Sequence, residues 1–174
     1  GAAADGTALT AVYLTQPAAN VAIGLVFAGS DLPHIVHWGR PLAKPDTLLA
    51  AYDALKPQRV SGALDETTWP SIMPTQSESW IGAPRLDIRR AGVTPFCAFT
   101  VTGIAIRQDE RQGVDVSDGV DGAAHTVTQQ VPVVTVTASD TEQGVELSWT
   151  VELLPGGLIR QRTTLRNLPA GNLP

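Results

Sequence analysis

A chain of 174 residues, 43% hydrophobic and 17% charged, has the make-up of one folded domain with a sizeable core, which excludes a charged disordered tail. Its formal net charge of −5, with Arg85, Arg89 and Arg90 as the densest basic patch, argues against a nucleic-acid partner. The single cysteine, Cys97, permits neither an intrachain disulfide nor a Cys-rich zinc site and reads as a small buried hydrophobe.

The chain opens on Gly1 and trails off in "LRNLPAGNLP", the ends expected of a piece cut from a longer protein. No apolar run is long enough to span a bilayer, and no secretory pattern precedes the first element. A reducing compartment is compatible with the lone cysteine, and the expected location is the cytoplasm.

In chain order, strands are expected at "ALTAVYL" (8 to 14), "VAIGLVF" (21 to 27) and "HIVHWG" (34 to 39). Trp38 is expected to pack, and Gly39 to give the turn its backbone freedom. "DTLLAAYDALK" then reads as a helix capped by Asp46, with Leu48, Leu49, Tyr52 and Leu55 on one face and Pro57 beyond its end. Prolines 57, 70, 74, 84 and 95 break up the stretch that follows, a long irregular region of the kind that binds something or lies against a partner.

Strands resume with "FTVTGIAI" (99 to 106) and "VPVVTVTA" (131 to 138), the second joined by "ASDTEQG" to the clearest period-two run in the chain. In "VELSWTVEL" (145 to 153), Val145, Leu147, Trp149, Val151 and Leu153 share one face, and Glu146, Ser148, Thr150 and Glu152 the other. "PGG" (155 to 157) turns the chain and "LIRQRTTL" returns it as an antiparallel hairpin. A single helix among these strands predicts an all-β antiparallel sandwich over 1–174, with one short helix and a long irregular loop region.

Three candidate sites stand against plainer readings. His34 and His37 are three apart, a spacing that puts them on opposite faces of a regular strand, and His125 has no evident carboxylate partner; no metal is expected. "DVSDGVDG" (115 to 122) departs from the calcium-loop pattern and has Thr126 where the twelfth-position acid belongs, so it reads as a turn. No Gly-x-Ser-x-Gly elbow, P-loop or dinucleotide fingerprint occurs, no cofactor is expected, and the adjacent Asp65 and Glu66 read as solvated. In "TWPSIMPTQSESWIGAPRL" (68 to 86), Trp69 and Trp80 are candidate platforms for a sugar ring, with Gln76, Glu78 and Arg85 for its hydroxyls; tryptophans in such a place are more often plugs for a sandwich core or an interface.

"HIVHWGRPL", "MPTQSESWIGAPRL" and "GVELSWTVELLPGGLIRQRTTLRN", in that order, resemble the N-terminal β-sandwich, supersandwich-like, of bacterial α-galactosidases of glycoside hydrolase family 36. The resemblance spans residues 34 to 167 and includes no catalytic signature. It implies a retaining hydrolase of terminal α-linked galactose, whose (β/α)8 barrel carries the two catalytic aspartates outside this chain. The implied partners are the protein's own barrel, α-galactosides in the full-length enzyme and a second copy in a homo-oligomer, with no nucleic acid and no membrane. Trp69 and Trp80 are the residues it would bring towards substrate. The alternative is an independent carbohydrate-binding or scaffold module.

Overall fold

The computed structural model describes residues 1–3, 6–57, 69–83, 85–89, 96–115 and 125–168. Two antiparallel sheets face each other across a single main core. The first has the order β1-β2-β3, built from Leu9–Gln16, Val21–Ala28 and His34–Gly39. The second has the order β4-β5-β6-β7, built from Thr100–Asp115, His125–Asp140, Val145–Leu153 and Ile159–Asn167. The all-β sandwich expected from the sequence is the observed architecture.

Alternation dictates which side chains enter the core. Val12 and Leu14 of β1 and Ile23, Leu25 and Phe27 of β2 point at Val134, Val136, Leu147, Trp149, Val151 and Leu153 of the opposite sheet. The face read from "VELSWTVEL" is therefore the inner face. Gln16 ties the two sheets together: from the end of β1 its amide nitrogen donates to the carbonyls of Gln130 (2.9 Å) and Leu153 (3.2 Å). A buried amide satisfied by two backbone oxygens fixes how the sheets meet at that end.

β2 is apolar on both faces because its outer face is covered as well. The helix α1 (Thr47–Leu55) lies there, with Leu48 and Tyr52 packed against Leu9, Val26 and Ala28 in a second, smaller core. Gly24 permits the approach: a Cβ at this position would sit 2.4 Å from Leu48 Cδ2 and 3.2 Å from His37 Cβ. The helix starts where the sequence suggests, by a different device. Asp46 itself adopts helical angles and makes no side-chain cap, while the Thr47 hydroxyl and amide both donate to the Lys44 carbonyl. Its apolar face is also narrower than expected, since Leu55 is 54% exposed. No helix among the described residues is long and apolar enough to cross a membrane.

β4 and β5 pair from Thr100↔Ser139 out to Asp115↔His125, well beyond Val133, where β6 stops accompanying β5. Residues 116–124, which include most of the "DVSDGVDG" stretch, lie outside the described residues; the strands flanking them pair antiparallel. At the other end of β5, Asp140 is buried and its carboxylate accepts from the amides of Ala98 and Gln143, both at 2.9 Å. One side chain thus anchors the entry to β4 and the turn into β6. Gly144 (φ 62°) and Gly157 (φ 79°) take the left-handed conformation in the two turns bounding β6.

Candidate functional site

The strand "HIVHWG" carries a correction. A register shift between Gly24 and Leu25 gives β3 one extra residue, so His34 pairs with Val26 and His37 with Gly24, both on the face that α1 covers. The bulge cancels the half-turn that a spacing of three would otherwise impose, and the two histidines share a face. Each has its own partner: His34 Nδ1–H donates to the Pro70 carbonyl at 3.2 Å, and His37 Nε2–H to that of Arg40 at 2.8 Å. Trp38 does not pack as expected; it is 64% exposed at the sheet edge. Gly39 continues the strand without a positive φ, so no turn there calls on its freedom.

His34 is the base of an aromatic group. Its ring stacks on Trp69 at 4.2 Å between centroids and 23° between planes, and Tyr52 of α1 leans on both, 4.9 Å from Trp69 and 5.8 Å from His34. Trp69 is half-buried against the second core, so part of the indole is packed and part stays open. Burial pushes the His34 pKa down, against the smaller upward pulls of the Pro70 carbonyl and Asp31. The folded protein therefore prefers the neutral ring, with Nδ1 as donor and Nε2 as acceptor.

That preference sets a sign. Below the ordinary histidine value of 6.5 the unfolded chain takes up a proton that the folded chain resists, so this contribution is intact above 6.5 and is lost as pH falls towards the lowered folded value. The melting temperature is expected to drop between about pH 7 and about pH 5. In His34→Phe, which keeps an aromatic ring but cannot titrate, the drop should be shallower; equal slopes in thermal melts of the two proteins would assign the loss to other groups.

Residues 71–80 form a self-closed loop beside this group. Glu78, at the end of a single 3-10 turn (Gln76–Glu78), accepts from the Ser71 amide (2.9 Å) and hydroxyl (2.8 Å), and its own amide donates to the Thr75 carbonyl. The Ser77 hydroxyl donates to the carbonyl of Cys97, a residue that is buried as the sequence suggests. Glu78 is thus committed to the loop. Arg85 makes one contact, Nη1 to the Ile72 carbonyl at 3.3 Å, and is otherwise exposed. Trp80 folds back on its own chain: Nε1 donates to the Ala83 carbonyl at 3.2 Å, and a Cβ on Gly82 would fall 2.5 Å from the indole. The glycine of Trp-x-Gly is therefore a requirement of close approach.

Two cavities meet at Trp69 and Ser71. The first, about 220 Å³, is bordered also by Ile35 of β3, Arg85 and Gln161 of β7; the second, about 320 Å³, by Asp31, His34, Ser77 and Glu78. Of the two tryptophans singled out by sequence, only Trp69 borders these cavities. Ile35 and Gln161 carry no sequence signal for such a role, because strand pairing and the meeting of the two sheets bring them to the loop. Among the described residues, no three His, Cys, Asp or Glu side chains gather closely enough to hold a metal ion. Asp65, Glu66 and Arg90 lie outside the described residues, as do the side chains of Asp115, His125 and Thr126.

No curated protein and no solved structure matches the chain. The family described as the glycosyl hydrolase family 36 N-terminal domain matches residues 31–173, from the loop before β3 through the last strand.

Proposed function

Because the chain belongs to the family of glycosyl hydrolase family 36 N-terminal domains, a non-catalytic part of glycoside hydrolases, we propose that it serves a retaining α-galactosidase acting on terminal α-linked galactose. The observation that supports this reading is the family match from β3 through β7, together with the resembling motifs at β3, at the 73 to 86 segment and at the β6–β7 hairpin. Retaining hydrolysis needs two carboxyl groups roughly 5 Å apart flanking the scissile bond. The (β/α)8 barrel that would hold them takes about 250 residues. The described residues form a sandwich, and in this reading the chemistry belongs to a barrel beyond this chain.

In this reading the sandwich steadies the barrel, and the segment carrying Trp69 and Trp80 faces it or a second copy of the protein. The isolated chain is expected to leave an aryl α-galactoside uncleaved. Turnover by the purified chain, removed by a point mutation within it, would overturn the assignment. The open reading frame supplies a second check: a barrel with two suitably placed aspartates is expected downstream, and a frame without one would favour an independent carbohydrate-binding or scaffold module.

A further inference from the structure

We infer that the adjoining cavities at Trp69 form a sugar-binding site within the sandwich itself, taking one pyranose ring against the indole. The argument is one of chemical complementarity. In the first cavity the available polar groups are donors: the guanidinium of Arg85, which spends only Nη1 on the Ile72 carbonyl, and the amide NH2 of Gln161, whose Oε1 already accepts from Trp149 Nε1 at 3.3 Å. In the second cavity they are acceptors, namely the carboxylate of Asp31 and the Nε2 of His34, whose Nδ1 donates to Pro70, while Glu78 is held by Ser71. An anion suits the first cavity alone and a cation the second alone. Hydroxyl groups both accept and donate, and they suit both.

Trp69 and Ile35 supply the apolar surface that the C–H face of a pyranose needs. The indole is also held in place before any ligand arrives, because His34 stacks on it and Tyr52 leans on it. A platform fixed in advance loses little freedom on binding. The site rests on the preceding functional reading only for the choice of galactose as the sugar; its residues come from β3, the 69–85 segment and β7 of this chain.

The test is titration of methyl α-galactopyranoside into the 174-residue chain, followed by the indole N–H resonances of the four tryptophans. The expected result is a saturable shift of the Trp69 signal with a Kd of about 1 mM. Arg85→Ala should weaken binding by about fivefold, the loss of one net hydrogen bond. Trp80→Ala should leave the affinity unchanged. Trp69→Ala should abolish binding, and if it disturbs folding through its contact with Tyr52, Arg85→Ala carries the test. A shift that does not saturate, saturation centred on another tryptophan, or an unchanged affinity in Arg85→Ala overturns the inference. Galactoside hydrolysis by the barrel-bearing protein without binding by this chain overturns the inference alone. Binding by this chain without such hydrolysis overturns the assignment to an α-galactosidase alone.

Discussion

Replacing Trp149 with alanine is expected to cost about 3–5 kcal/mol, the usual penalty for deleting a buried aromatic ring. Trp149 is the largest fully buried side chain and is 1% exposed. It lies at the middle of β6, paired with Val136 on one side and Thr163 on the other, so the hole would open in the centre of the main core. The β-sheet backbone on both sides cannot collapse into it without giving up ladder bonds. A domain stable by roughly 5–15 kcal/mol loses about a fifth or more of its stability in this way. Trp149→Phe should cost about 1–2 kcal/mol, from the smaller ring and the lost bond to Gln161. Urea unfolding should show the midpoint of Trp149→Ala falling steeply at an unchanged slope. A loss under about 1 kcal/mol would mean that the two sheets are not held by this ring.

The second large effect is expected on the outer face of the same sheet. Glu152 is 6% exposed, and the guanidinium groups of Arg111 and Arg160 both converge on its Oε2, Arg111 at 2.8 Å. The carboxylate is what allows two cations to lie together over β5 and β6. Glu152→Met should therefore cost about 2–3 kcal/mol, below the full value for a severed buried ion pair because water reaches both arginines. They are 38% and 39% exposed. The triad is not an optimised one, since Arg160 Nε is buried without a hydrogen-bond partner. Converting Arg111, Arg160 and Glu152 together to methionine should accordingly restore much of what the single change removes. If the triple variant is as unstable as Glu152→Met, the loss comes from packing and not from stranded charge.

These two residues mark how far the sequence could be read. Trp149 was legible because the period-two pattern of β6 is a local signal and its apolar face could point only inward. Glu152 belongs to the polar register of the same strand and reads as solvated; its burial comes from arginines on β4 and β7, and no pattern within β6 reports them. The histidines of β3 failed for a related reason. The face a strand residue takes depends on its register, and the bulge between Gly24 and Leu25 is a property of the pairing with β2. The seven described strands and the helix were visible because each carries a local signal of its own, whether alternation, an apolar run or a density of β-branched residues. Trp69 could be singled out as an aromatic on a loop, but its stacking partner lies in β3 and its cavity neighbours include a residue of β7. Asp46 illustrates the reverse case, a correct boundary with the wrong cap, because Thr47 satisfies the same carbonyl that begins the turn.

The strand order has a consequence for how the molecule assembles. Every described strand pairs with its neighbour in sequence, and the order β1-β2-β3 and β4-β5-β6-β7 makes the chain pass from one sheet to the other once, between β3 and β4. Each sheet is a meander whose hairpins close over short spans, so either can zip up without waiting for the other. Only the docking of the two requires distant segments to find each other, and the Gln16 bonds, which reach across 114 and 137 residues, cannot form before it. Until then the inner faces of both meanders are open to water and to other copies of the chain. The docking of the two sheets is thus the step expected to set the folding rate, and the one at which aggregation would compete with folding.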